Sequence, residues 1–210
     1  MIQIHDLEQA QIPFEIYTLN KQDSIIITPK NNQLLIILDG LIELLKVFTN
    51  QEKVCMSILQ RDYILHVYIT QTEIPNYYYK ASALSRTLIV SIQLKDIINK
   101  ACEQNNLLKQ LTISYSYSIK GYKNMIKILS HRQTKNRIIQ LMLVLCEEIG
   151  QISSKCITIP LYLSHTTLSI IIGSHRITVT RIMKQLQNKK LISYNRKVLV
   201  IYDILKLSQY

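Results

Sequence analysis

Glycine is scarce in this chain: four residues in 210, with none between Gly40 and Gly121. A phosphate loop needs glycines so that backbone amides can approach a phosphoryl group, and no such run exists here. Acidic residues are also few, 14 against 25 Lys and Arg. No pair of carboxylates or nucleophile with its base emerges, and Ser164-His165 and Ser174-His175 read as helix caps with their neighbours. An enzyme is therefore not indicated. Cys55, Cys102, Cys146 and Cys156 stand apart without a Cys-x-x-Cys pair, which reads as buried thiols in a reducing compartment. His5, His66, His131, His165 and His175 are equally dispersed, so neither a metal nor any other cofactor is called for. No apolar run reaches the ~18–20 residues of a membrane span, and MIQIHDLEQAQ has the character of neither a signal nor a transit peptide. The expectation is a protein that makes no use of a membrane and stays where it is made.

What the chain does have is an uneven charge. The net charge is +11, and residues 131–210 hold 12 Lys and Arg against 3 Asp and Glu. A nearly neutral first part joined to a basic second part suits a sensor or scaffold attached to a polyanion-binding module.

Within the basic part, SHTTLSIIIGSHRITVTRIMKQLQ over 164–187 has the punctuation of a helix-turn-helix. Ser164 caps a short apolar helix ending at Ile172, Gly173 supplies the turn, and Ser174 is placed to cap a second helix reaching Gln187. Leu168, Ile172, Val179, Ile182 and Leu186 fall where two crossed helices bury side chains against each other. At 100° per residue, Arg176, Ile177, Thr180, Arg181 and Lys184 share the opposite arc. Arginine can bond bidentately to guanine O6 and N7 in a major groove, and an apolar tip such as Ile177 can meet a thymine methyl. Base readout is accordingly expected from Arg176, Ile177, Thr180 and Arg181. Phosphate contacts are expected from His175, Thr178, Lys184, Arg196 and Lys197. The last two sit at Asn195-Arg196-Lys197, the tip between the apolar strands Leu191–Tyr194 and Val198–Tyr202, which form a wing.

GSHRITVTRIMKQL followed by KKLISYNRKVLVIYD resembles the DNA-binding domain of the cyclic-AMP receptor protein/FNR family. Its cyanobacterial global-nitrogen-regulator branch carries a nearly identical Gly-Ser-x-Arg-hydrophobic-Thr-Val-Thr-Arg string. LDGLIELLKVF and HRQTKNRIIQLMLVLCEEIG extend the resemblance over residues 25–210. The resemblance implies a transcription regulator that binds double-stranded DNA as a homodimer at a palindromic promoter site, with half-sites beginning GTA and ending TAC. RNA polymerase is then a partner. The rival reading is a nucleoid or RNA-binding protein without sequence preference. The first cysteine is Cys55, so the N-terminal cysteine cluster of the iron–sulfur members is missing.

The expected fold class is α+β. A cyclic-nucleotide-binding-like antiparallel β-roll is expected over 1–104, a long dimerisation helix over 105–130 and a winged helix-turn-helix over 131–210. Residues 1–24 have no clear period and read as a short helix and lead-in. Ile25–Thr28, Leu34–Leu38, Leu41–Phe48 and Val54–Leu59 read as hairpin strands with a turn at Asp39-Gly40, and alternation returns at Leu88, Val90 and Ile92. In the long helix, Leu108, Leu111, Tyr115, Ile119, Tyr122, Ile126 and Leu129 recur at spacings of three and four. That seam either packs wholly on its own roll or, as the resemblance implies, pairs with a symmetry mate. Gly121 and the β-prone SYSYS weigh against the helix there.

The effector stays unassigned. RDYILHVYITQTEIPNYYYKASA keeps neither the glycine-rich cassette nor the arginine that hold a cyclic phosphate. Asn76 and Ser118 align where the nitrogen regulators, which sense 2-oxoglutarate, have arginines. Lys80, Arg86 and Lys123 are the substitutes at hand, but lysine does not reproduce a bidentate guanidinium. Abundant Ile, Lys, Asn and Tyr indicate an AT-rich genome, which with a cyanobacterial resemblance points to the chloroplast stroma, a bacterial cytoplasm being the alternative.

Overall fold

QLLIILD and TLIVSIQ are apolar without alternation, the pattern of strands covered on both faces. The computed structural model describes residues 4–27, 32–65, 76–103, 105–153, 156–195 and 197–210; Thr28, His66, the Cys102 side chain and Arg196 lie outside them. The chain divides into two compact units, Met1–Lys123 and Asn124–Tyr210.

The first unit runs α1 (Ile4–Gln9), β1 (Phe14–Leu19), β2 (Ser24–Ile27), β3 (Gln33–Asp39), β4 (Leu41–Phe48), β5 (Lys53–Gln60), β6 (Ile64–Leu65), β7 (Tyr77–Ala83), β8 (Thr87–Gln93) and α2 (Leu94–Glu103). It also holds most of α3 (Asn105–Leu129), within which the division falls. Two antiparallel sheets, ordered β1-β8-β3-β6 and β2-β7-β4-β5, form the roll. Leu35, Ile37 and Ile89 of one sheet meet Ile42, Leu44, Leu59 and Ala81 of the other. Leu34, Ile36, Val90 and Ile92 turn the other way, under Leu7 of α1, Ile97 of α2, and Leu107 and Leu111 of α3. Each such side chain contributes roughly 1.5–3 kcal/mol on burial.

The expected α+β roll is present, with two local differences. β1 occupies part of the lead-in; among the described residues it is an edge strand paired to β8 alone, and with Glu15, Ile16, Tyr17 and Thr18 all exposed it carries no alternation to read. SYSYS is helical despite its β propensity, because two of its small residues, four apart, face the roll while Ser116 is exposed. Ser114 and Ser118 are buried. Ser118 Oγ accepts from the Ile64 N–H (2.8 Å) and lies 2.8 Å from the Ile64 carbonyl oxygen. Tyr117 stacks on Tyr63 at 6.0 Å. A β-carbon at Gly121 would lie 2.5 Å from Ser57 Oγ and 3.1 Å from the Tyr63 ring, so glycine admits the helix at this approach. Tertiary fit outweighs propensity here.

Glu43 in β4 sits in a cross-sheet row with Ser24, Ser82 and Ile58 and is buried. Burial raises its pKa to about 7, against the opposing pull of Lys80 and Lys53. Its Oε2 has no hydrogen-bond partner among the described residues.

The second unit continues with α4 (Thr134–Ile149), β9 (Gln151–Ile152), β10 (Ile157–Ile159), α5 (His165–Ile171), α6 (Arg176–Asn188), β11 (Ile192–Tyr194), β12 (Leu199–Ile201) and α7 (Ile204–Gln209). Its antiparallel sheet is ordered β11-β12-β10-β9. Leu141, Met142 and Leu145 of α4 converge with Ile159, Leu168, Met183 and Leu199 around one core. β10 ends before Leu161 because Pro160 has no N–H to extend the ladder. α7 went unforeseen; Asp203 caps it by accepting from the Lys206 N–H at 3.0 Å. Burial raises the Cys146 thiol to about 11 and pushes Cys55 up as well, whereas Cys156 is only half-buried.

Candidate nucleic-acid interface

The turn between α5 and α6 is specified by local chemistry. Ser164 Oγ accepts from the Thr167 N–H at 3.0 Å and so starts α5. At the other end Gly173 takes φ +60°, a conformation that costs about 1–2 kcal/mol with a β-carbon present. The Ser174 N–H bonds to the Ser169 carbonyl (2.9 Å) and the Gly173 N–H to that of Ile170 (3.3 Å), the paired closure of a Schellman end. Arg137 of α4 satisfies the next carbonyls. It donates from Nη1 to Ile172 O (3.1 Å) and Gly173 O (3.4 Å), and from Nε to His131 O (2.8 Å). Sequence reasoning missed this residue, whose one signal was a cation at the start of the apolar run IIQLMLVL.

Ser174 is not the cap of α6. That place falls to His175, in extended conformation and without a side-chain capping bond, while Ser174 Oγ lies 3.4 Å from Thr134 Oγ1. The two faces of α6 separate as their spacing requires: Val179, Ile182, Met183 and Leu186 are buried. Arg176, Arg181, Lys184 and His175 are exposed, and Ile177 is 84% exposed, an apolar side chain with no core to enter. Thr178 and Thr180 are half-buried. Thr180 Oγ1 lies 3.0 Å from Arg176 O and 2.9 Å from His165 Nδ1.

The wing is closed by Asn195, whose Oδ1 accepts from the N–H groups of Lys197 (2.8 Å) and Val198 (2.9 Å). Lys197 is exposed there. Gln187 Nε2 donates to Tyr194 O at 3.3 Å, tying α6 to β11. The His165 ring stacks on Tyr194 (5.9 Å), which stacks on Tyr162 (5.7 Å). Burial, then the charges of Arg176 and Lys184, hold the His165 pKa below its ordinary value.

The proposed seam of α3 is split between two destinations. Leu111 is 7% exposed and belongs to the roll's own cluster, with Tyr115 packed against it, and Tyr122 packs against the inter-sheet cluster. Leu108, Ile119 and Ile126 are exposed at 49, 51 and 68%, and Leu129 is intermediate. Of the effector candidates, Ser118 is consumed by Ile64, and Asn76, Arg86 and Lys123 are exposed. Lys80 is half-buried, its charge felt by Glu43. No helix among the described residues is long and apolar enough to cross a membrane.

A β-roll, a long helix and a winged helix-turn-helix with a cationic recognition helix define a DNA-binding transcription regulator. Residues 136–210 match the Crp-like helix-turn-helix domain. The chain is 35% identical over 204 residues, 96% of its length and 84% of the relative's, to a putative HTH-type transcriptional regulator, ycf28, of Porphyra purpurea. It is 26% identical over 206 residues, 97% of its length and 93% of the relative's, to the global nitrogen regulator of Synechococcus elongatus. Its fold is similar to that of a CooA mutant from Carboxydothermus hydrogenoformans, with a TM-score of 0.74 at 16% identity, covering 93% of this chain and 87% of that one. The chain belongs to the cyclic-AMP receptor protein/FNR family of transcription regulators and resembles its global nitrogen regulators. These relatives are regulators, not enzymes.

Proposed function

We propose that the protein is a sequence-specific regulator that binds a palindromic promoter site as a homodimer. The observation that carries this reading is α6, which buries one face and offers Arg176, Ile177, Arg181 and Lys184 on the other. Arg176 and Arg181 bond guanines, and Ile177 and Thr180 lie against neighbouring base edges. His175, Thr178, Lys184, Arg196 and Lys197 hold phosphates and set register. Residues 1–104 act as the roll, 105–130 as the dimerisation helix and 131–210 as the DNA-binding domain. The exposed Leu108, Ile119 and Ile126 support the pairing, because a stripe of this kind on a helix that already packs on its roll suits a second helix. A two-fold dimer places two recognition helices about one turn of DNA apart, roughly 34 Å.

Likeness to the nitrogen regulators supports half-sites beginning GTA and ending TAC and a nitrogen-related set of promoters, where the dimer regulates initiation by touching RNA polymerase. Composition and the red-algal relative favour the chloroplast stroma, with a bacterial cytoplasm as the other setting. No effector is assigned: Ser118, whose hydroxyl is bonded to Ile64, offers no cation to a dicarboxylate such as 2-oxoglutarate.

Binding selections on randomised DNA at fixed salt test the assignment. Arg176→Ala should lose about 1–3 kcal/mol and relax preference at one base pair per half-site, while Lys197→Ala weakens all sequences alike. If both variants keep the parent's preference, the residue roles are wrong; a parent with no preference is a non-specific nucleic-acid-binding protein.

A further inference from the structure

Thr180 looks like an ordinary hydroxyl donor on the reading face, yet its hydroxyl is already engaged. Oγ1 carries one hydrogen. The Arg176 carbonyl, 3.0 Å away and four residues back in the helix, can only accept, so it takes that hydrogen. His165 Nδ1, at 2.9 Å, must then be the donor to Oγ1, which assigns the Nδ1–H tautomer to His165. The ring is held in that orientation from the wing, through its stack on Tyr194 and the further stack of Tyr194 on Tyr162. A contact chain thus runs from the wing strand through α5 to the middle of α6.

We propose, on the reading that α6 enters the major groove, that His165 is a positioning residue for base recognition. By locking the Thr180 hydroxyl back onto the helix, it makes Thr180 read DNA through its methyl group. The exposed Ile177 is three residues away on the same helix face, so the two form one apolar spot beside the guanidinium of Arg176. The chemistry that matches such a spot is the C5-methyl of thymine, next to a purine read by arginine. Thr180 therefore discriminates thymine by apolar contact and not by a hydrogen bond.

The test compares base preference at every half-site position for the parent, Thr180→Ser, Thr180→Val, His165→Ala and the His165→Ala/Thr180→Val pair. Thr180→Ser, which removes the methyl, should lower thymine preference at one position about fourfold, the worth of a single buried methyl group. Thr180→Val should keep that preference. His165→Ala should lower it at the same position in the parent background and leave it unchanged in the Val background, a coupling that general loosening of the fold would not produce. Loss of preference in Thr180→Val overturns the proposal, since the hydroxyl would then be the reader. So does a His165→Ala variant weakened equally on all sequences with a shallower salt dependence, because His165 would then be a phosphate contact. Apart from DNA, long-range 15N–1H NMR of the parent should show His165 as the Nδ1–H tautomer; the Nε2–H form would overturn the arrangement. A parent that selects no sequence while keeping the Nδ1–H signal removes the readout, with α6's role, and leaves the geometry standing.

Discussion

Replacing Arg137 with alanine takes one guanidinium away from three carbonyl groups at the pivot of the DNA-binding unit. Two of its bonds, at 2.8 Å to His131 O and 3.1 Å to Ile172 O, have good geometry; the third, to Gly173 O at 3.4 Å, counts for little. A hydrogen bond to a charged group contributes about 1.5–3 kcal/mol. The site is half-buried, so water recovers part of each bond in the variant, which leaves a loss of about 2–4 kcal/mol. The Ile172 and Gly173 carbonyls lie at the C-terminal end of α5, where a cation also meets the negative end of the helix dipole. Urea unfolding followed by far-UV circular dichroism measures the loss. Arg137→Lys should recover about half, since an ammonium reaches one carbonyl but cannot fork between His131 and Ile172. DNA affinity, measured well below the unfolding midpoint, should fall for all sequences together, because α6 itself is intact but less firmly aimed. A stability change within about 0.5 kcal/mol, the range of an ordinary surface substitution, would refute the clamp.

Glu43 makes stability depend on pH with a definite sign. Its folded pKa of about 7 exceeds the ordinary carboxylate value, so the native state holds an extra proton between about 4.5 and 7, and the associated stability is present below that window and lost as pH rises through it. Glu43→Gln should therefore stabilise by about 1–3 kcal/mol at pH 8 and change little at pH 4, read by denaturation at both; equal effects at the two would contradict the assignment. Ser118→Ala leaves the buried Ile64 N–H without its 2.8 Å acceptor and should cost about 1–3 kcal/mol in the same assay. Ile119→Glu puts a charge into the exposed stripe and should shift sedimentation from dimer to monomer at micromolar concentration without lowering helix content.

The parts of this molecule legible in its sequence are those fixed by neighbours along the chain. Ser164, Gly173 and the buried residues from Leu168 to Leu186 act within one or two turns of each other, so spacing alone exposed the helix-turn-helix. The hairpins around Asp39-Gly40 were legible for the same reason. β1 was not, because an exposed edge strand has no inside and outside to alternate between. The SYSYS segment pointed the wrong way because its reason for being helical is Ile64, more than fifty residues away in the roll. Arg137 and the His165–Thr180 pair were invisible for the same cause: each acts on a carbonyl or hydroxyl that only the folded chain brings near. Leu111 and Leu108 had identical standing in the periodic seam, and only the roll's own packing separated the buried residue from the exposed one.

In the proposed mode of action a dimer carrying two copies of α6 reads a specific palindrome. The most direct test titrates the purified protein, at one fixed salt concentration, against a GTA/TAC palindrome and a scrambled duplex of the same length and composition. A two-protomer complex is expected on the palindrome, bound roughly a thousandfold or more tightly than on the scrambled duplex. Equal affinity for the two would contradict it.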